Sequence, residues 1–178
     1  MKKRTIIILS VLAVVITAGF FLTKDTIAMV LMGEGEITLN NFEENKKALS
    51  SHDNFKDVVV EEKDGKQILS GVTADKTTTI RIVSDGNKVE QVKTVIDSSQ
   101  LTEENAKSVI TKNIDGILSA VLSKKDARNI ELFIGKEVIQ KIKDNPEKIV
   151  IQKTFGDVEI CVTGDFNTGL IQISFDAK

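Results

Sequence analysis

The chain has 178 residues, of which 41% are hydrophobic and 28% are charged, and this balance is typical of a globular protein rather than a disordered one. Its 24 basic and 26 acidic residues nearly cancel, so the composition gives no electrostatic attraction to nucleic acid, and we predict no nucleic-acid partner. Cys161 is the only cysteine, which excludes an internal disulfide, a zinc–cysteine cluster and a CxxC redox pair.

The N-terminal stretch predicts a membrane anchor. Lys2, Lys3 and Arg4 precede the uncharged stretch Thr5–Thr23, which Lys24–Asp25 closes. A transmembrane helix needs about 20 apolar residues, and basic residues beside a span stay on the cytoplasmic side. We therefore predict a single-pass signal-anchor in a cell membrane, with the N-terminus in the cytoplasm and the C-terminal domain outside.

Cleavage of the same stretch, followed by secretion, is the alternative. A secretory signal ends at a small-x-small site, and the candidate sites are Ile16–Ala18 and Thr26–Ala28. The first is followed by apolar residues and the second lies behind two charges, so both are poor sites. No cysteine directly follows the hydrophobic stretch, which excludes a lipid anchor of the lipoprotein type.

These features divide the chain into an anchor or signal at 1–28, a juxtamembrane linker at 29–39 and an extracytoplasmic domain at 40–178. Without Lys2, Lys3 and Arg4, 21 of the 24 basic residues remain against 26 acidic ones, so the outer part carries a net charge near −5. The pair of glycines at 33 and 35 predicts a hinge, because the rest of a phosphate-binding fingerprint is missing.

The domain begins with a predicted short helix that Asn40 or Asn41 caps and that ends at Ser51. Glu43 and Glu44 would lie in its first turn, where acidic side chains complement the helix dipole. His52 follows and is the only histidine. Because no second histidine is available to complete a metal or catalytic site, we interpret His52 as structural.

Four strand patterns then predict an antiparallel meander with one solvated face. Asp64–Gly65 and Asp85–Asn87 are hairpin-turn signals. Val89 and Val92 break strict alternation, which predicts a β-bulge near Glu90–Gln91. The predicted strands are Lys56–Glu62, Lys66–Thr73, Lys76–Ser84 and Lys88–Asp97.

Two consecutive amphipathic helices are predicted next from apolar residues at helical spacing. Thr102 caps the first, and Gly116 inside it lowers helix propensity, which indicates close packing at that point. Residues 123–126 separate the two helices, the second covers Ala127–Lys143, and Asn145–Pro146 ends it.

Three more strands complete the chain: Lys148–Phe155, Val158–Thr163 and Leu170–Phe175. Because strands cluster with strands, the pattern favours an α+β fold over a parallel α/β fold. We predict an N-terminal transmembrane helix followed by an antiparallel sheet, made of a four-stranded meander and a three-stranded C-terminal set, packed against two consecutive amphipathic helices.

Tests for chemistry yield no catalytic, metal-binding or cofactor-binding residue. The loop Asp165–Gly169 matches the start of a calcium loop, but Leu170 and Asp176 stand where that loop needs Gly and Glu, so a hairpin loop is favoured. A nucleophilic pair would have to join Cys161 to His52, and Cys161 is predicted to point away from the core.

Carboxylate neighbours such as Glu61–Glu62, Glu103–Glu104 and the strand-end Asp97 are expected by chance among 26 acidic residues. The chain has no Trp and no Tyr, which argues against sugar recognition and base stacking.

The sequence therefore favours a non-enzymatic, membrane-anchored extracytoplasmic domain that binds a protein or an envelope component, without a cofactor. This layout and the abundance of Lys, Ile and Asn are typical of surface proteins of bacteria. One alternative is an accessory subunit of a membrane assembly. A less favoured one is a carboxylate-based envelope enzyme with a metal recruited by Asp165 and Asn167.

Overall fold

The structure is a computed structural model that describes residues 35–99, 101, 103–144, 147–165 and 167–178. The predicted anchor, the predicted hinge up to Glu34, the Thr102 cap and the Asn145–Pro146 helix stop lie outside the described residues. Within the described ranges, no helix is both long and apolar enough to cross a bilayer.

A seven-stranded sheet in the order β1-β2-β3-β4-β7-β6-β5 organises the fold, and all its neighbours are antiparallel. The predicted meander and the predicted C-terminal set are therefore joined through β4 and β7. The strands are β1 Phe55–Lys63, β2 Lys66–Thr73, β3 Thr78–Asp85, β4 Lys88–Asp97, β5 Lys148–Phe155, β6 Val158–Asp165 and β7 Leu170–Ala177.

Tight turns and two register shifts set the pairing of these strands, and the first shift falls in β1 between Lys56 and Val59. Asp64, Gly65, Gly86 and Gly156 all have positive φ in the hairpin turns, as two-residue turns of this type require. The β3–β4 register shifts at Val83/Ser84, so one residue of β4 is left without a partner. That residue is Glu90, which confirms the predicted bulge.

Three helices accompany the sheet: α1 Phe42–Ser51, α2 Glu103–Val121 and α3 Lys124–Asp144. The α+β class is confirmed, but the expectation that two helices supply the core was incomplete, because Phe42 and Leu49 of α1 are also fully buried. The third helix begins earlier than Ala127. Ser123 caps it by accepting a hydrogen bond from the Asp126 N–H at 3.2 Å.

Other boundaries moved by a few residues. Strand β3 begins at Thr78 rather than Lys76 because Lys76 has a φ of 59°, which interrupts an extended chain. Strands β6 and β7 extend beyond Thr163 and Phe175, because their pairing continues to Asp165 and Ala177.

One hydrophobic core lies between the helices and a single face of the sheet. Along β6, Val158, Ile160 and Val162 are buried, and along β7 Ile171, Ile173 and Phe175 are buried, as their alternation predicted. The core also receives Ile37, and Leu39 forms an isolated bridge with Leu122. The packed part of the chain thus includes the residues just before Asn40.

The two asparagines at the domain start have different partners. Asn41 caps α1 in a capping box with Glu44, whereas the Asn40 side chain donates to the carbonyls of Ala120 and Leu122 at 2.9 and 3.2 Å. Asn40 therefore satisfies carbonyl groups at the C-terminal end of α2.

Candidate functional site

His52 is part of the packing between α1 and α2. Its Nδ1 accepts a hydrogen bond from the Asn54 N–H at 3.2 Å, and its ring meets the Phe55 ring edge-on at 5.6 Å. A Cβ added to Gly116 would lie 3.0 Å from His52 Nε2, so Gly116 allows the close packing that its position predicted. These contacts account for His52 without a catalytic role.

Cys161 lies on the other side of the sheet from this packing. It is half-buried, free of any disulfide, and paired by register with Gln152 and Ser174. Since Ile160 and Val162 on either side are buried in the core, the Cys161 side chain points away from it, as predicted. The structure therefore does not bring Cys161 and His52 together.

The loop that resembles a calcium site is a hydrogen-bonded turn. Asp165 Oδ1 accepts hydrogen bonds from the N–H groups of Asn167 and Thr168 at 2.9 and 3.2 Å. Gly169 has a φ of 79°, and its N–H donates to the Asp165 carbonyl at 2.8 Å. The Asp165 carboxylate thus stabilises the turn. Among the described residues, no group of three or more His, Cys, Asp or Glu side chains could hold a metal ion.

Among the described side chains, Glu61, Glu62 and Asp97 do not converge on one site. Glu61 and Glu62 are consecutive in β1, so their side chains point to opposite faces of the sheet. Asp97 Oδ1 accepts a hydrogen bond from the Ser99 N–H at 2.9 Å.

A polar cluster that the sequence analysis missed joins the β2–β3 turn to α2. Asp75 Oδ1 accepts from the hydroxyls of Thr73 and Thr77 at 2.6 and 2.8 Å, and from the Thr77 N–H at 3.0 Å. Partial burial favours a higher pKa for Asp75, but these hydrogen bonds outweigh it and lower the pKa. Buried Asn113 donates to the hydroxyls of Thr77 and Thr78 at 3.1 and 2.8 Å.

Asp115 of α2 and Glu131 of α3 are close enough to interact electrostatically. Desolvation by the surrounding protein raises the pKa of Asp115. Desolvation also raises the pKa of Glu131, and the negative charge of Asp115 raises it further, while Arg128 acts in the opposite direction.

A shallow groove lies where the described chain begins. Its volume is about 360 Å³, and its walls come from residues 36–39, the β3–β4 turn, the β5–β6 turn and the C-terminus. The groove lies beside the N-terminus of α1, where anions often bind. Here the first four N–H groups of α1 already donate to Asn87 or Asn41, so none is available for a ligand.

The described helices pack on one face of the sheet, and the second face, which we call the open face, has no described helix on it. Ile68 belongs to it and is the one buried aliphatic residue outside the core cluster among those the structure describes. Val150 and Leu170 also belong to it and are 50% and 43% exposed. The three described helices pack with the core residues of the other face.

Two neighbouring rows of side chains cross the open face, and strand register defines them. The uncharged row runs from β2 to β5 and consists of Val72, Thr79, Val95, Gln172, Thr163 and Val150. The basic row consists of Val59, Ser70, Arg81, Lys93, Ser174, Cys161 and Gln152. Neither row contains a carboxylate or an aromatic ring.

Comparison of the chain with protein-family models, with curated proteins and with solved structures finds no match.

Proposed function

We propose that the chain is a membrane-anchored extracytoplasmic binding domain that contacts its partner through the open face and does not act as an enzyme. The observation that carries the proposal is the face of the seven-stranded sheet opposite the core, which no helix among the described residues covers. Thr5–Leu22 would hold the domain at the membrane, and the basic residues before it would keep the N-terminus in the cytoplasm.

The composition of the open face supports binding. One face of an antiparallel sheet is often solvated and carries polar residues. Here the uncharged row crosses six strands without a charged side chain. The seventh strand, the edge strand β1, places Lys56 beside Val72 at the end of this row. Interfaces are depleted of charge at their centre and polar at their rim. The uncharged row provides such a centre, and charged side chains lie on both sides of it.

Site-specific photo-crosslinking in intact cells tests the proposal. A photoreactive amino acid at Val95 reports on the middle of the open face, and the same amino acid at the exposed Arg128 of α3 is the matched control on the helical layer. We expect a discrete adduct of higher mass from Val95 and none from Arg128. Repetition at Thr79 and Gln172 should give the same adduct, because both flank Val95 in the uncharged row.

Equal labelling from Val95 and Arg128, or no adduct from any of the three open-face positions, contradicts binding through this face.

The anchor is tested on the same cells. Alkaline extraction should leave the protein in the membrane fraction, and externally added protease should degrade the domain. A domain that is released by extraction, or that protease reaches only after lysis, contradicts the proposed location.

A further inference from the structure

We propose that Arg81 and Lys93 form an anion-binding pair on the open face and that its occupant is a carboxylate of an acidic segment in a protein partner. The inference rests on the proposed function, because it names the partner chemistry of the same face.

The two cations are direct neighbours across adjacent strands. Arg81 of β3 pairs with Lys93 of β4, and both side chains are exposed. Side chains that pair in this way have Cβ atoms about 4.5–5.5 Å apart, and like charges directly opposite one another are destabilising. Within the described part of the chain neither side chain forms an ion pair. The sheet therefore maintains an unneutralised pair of positive charges.

Nearby carboxylates are engaged elsewhere. Asp176 is diagonal to Lys93, but its Oδ1 accepts a hydrogen bond from the Gln91 amide at 2.6 Å. Glu159 accepts from Gln152 and Lys178, which lowers its pKa.

Other acids of this face lie farther from the pair, among them Asp85 and Asp97, each four residues along its strand from Arg81 or Lys93. Glu90 contacts Lys66 at 2.5 Å. Glu61 is on β1, two strands away from Arg81. An external carboxylate would thus meet both cations without displacing an internal partner.

Hydroxyl groups flank the pair on both sides. Ser70 pairs with Arg81, and Ser174 pairs with Lys93, so the order across four strands is hydroxyl, guanidinium, ammonium, hydroxyl. The guanidinium and the ammonium are exposed and can donate to an oxyanion, and the guanidinium can donate two hydrogen bonds to one carboxylate, whereas Ser70 is half-buried and Ser174 is buried. The row is therefore suited to a single anionic group.

The surroundings favour a polypeptide over other anions. A phosphodiester polymer is held by many cations along its length, whereas this row has only two cations. In addition, the outer part of the chain has a net charge near −5, which repels a polyanion. The adjacent row supplies Val72 and Val95, which would contact aliphatic side chains. An extended segment that alternates acidic and aliphatic residues satisfies both rows.

Fluorescence anisotropy with the full chain in detergent tests this inference. The probe is a labelled peptide of alternating Glu and Val, and a peptide of alternating Gln and Val is its uncharged control. We expect the Glu peptide to bind at least about tenfold more tightly, which is the lower end of the effect of a charge-assisted hydrogen bond. The difference should shrink as salt is raised.

The variant R81Q/K93Q should lose most of this preference. The matched control K125Q/R128Q removes one Lys and one Arg from the exposed start of α3 and should leave binding unchanged. Thermal unfolding checks the fold: R81Q/K93Q should melt no lower than the parent, because it removes a repulsion.

Three results overturn the inference: equal binding of the two peptides, equal loss in the two variants, or preferential binding to inorganic polyphosphate or to phosphatidylglycerol added to the detergent micelles. The last result would assign the pair to phosphate. If Val95 still forms an adduct in cells while any of these results holds, the open face binds by other chemistry and the proposed function stands. If Val95 forms none, the proposed function fails as well.

Discussion

Replacement of Gly116 by Ala tests the packing of α2 against the end of α1. The added Cβ would lie 3.0 Å from His52 Nε2, 3.2 Å from His52 Cε1 and 3.4 Å from Phe55 Cε2. Carbon atoms in good contact are about 3.5–4.0 Å apart, so the His52 ring must move to accept the new group.

Two opposing terms decide the effect on the free energy of unfolding. Ala is a better helix residue than Gly by about 0.5–1 kcal/mol. Overpacking a closely packed site costs about 1–3 kcal/mol. The His52 ring is held by the hydrogen bond from Asn54 at 3.2 Å and by its edge contact with Phe55. We therefore expect the crowding to win and G116A to lose about 1 kcal/mol.

Urea unfolding followed by far-UV circular dichroism measures this change, since the chain has no Trp or Tyr to provide a fluorescence signal. The double variant H52A/G116A isolates the cause. Once the imidazole is absent, G116A should raise stability by about 0.5–1 kcal/mol, which is its intrinsic helix preference. The two substitutions should thus show a coupling of about 1.5–2 kcal/mol. If G116A changes stability equally in both backgrounds, the argument for close packing against His52 is wrong.

Three further predictions concern stability and are all measured by urea unfolding. N113A should cost about 1–3 kcal/mol, because the buried hydroxyls of Thr77 and Thr78 lose their donor; a loss no larger than that of an exposed helix substitution would contradict this. N41A should cost about 1 kcal/mol by removing the cap of α1, and N41S should restore most of it; equal losses in both variants would exclude capping as the cause. E131Q should stabilise at pH 7 but not at pH 4. When folding raises the pKa of a carboxyl group, the protein loses stability as the pH rises above the pKa of that group in the unfolded chain. An equal gain at both pH values would therefore contradict the raised pKa of Glu131.

Local patterns were sufficient for most of the fold. Strands β2, β4 and β5 have the predicted bounds, because alternation and tight turns are encoded by adjacent residues. The joining of β4 to β7 could not be predicted in this way. It depends on contacts between residues far apart in sequence, and the apolar pattern of each strand is compatible with other orders.

The basic pair illustrates how a surface site is hidden in a sequence. From the Asp85–Lys88 pairing at the turn, an unbroken ladder would place Val92 opposite Arg81. The bulge at Glu90 shifts the register by one residue, so Lys93 takes that place. The bulge itself was predictable from Val89 and Val92, and it was the signal from which the pair could have been found.

Asn113 offered a weaker signal. It lies three residues after Ile110 and immediately before Ile114, so it falls in the apolar stripe of α2. A polar residue in such a stripe indicates a buried hydrogen-bond partner, but helical spacing does not identify that partner. The partners, Thr77 and Thr78, belong to a turn whose position depends on the folded sheet.

The position of β7 has a consequence for how the domain is made. The last strand of the chain is inserted between β4 and β6, in the interior of the sheet. A nascent chain that lacks residues 170–177 therefore has two separate strand groups with unpaired inner edges, and such edges are prone to aggregation. The sheet can be completed only after residues 170–177 have been synthesised. Premature termination or C-terminal trimming into β7 should consequently be far more damaging than loss of a peripheral strand.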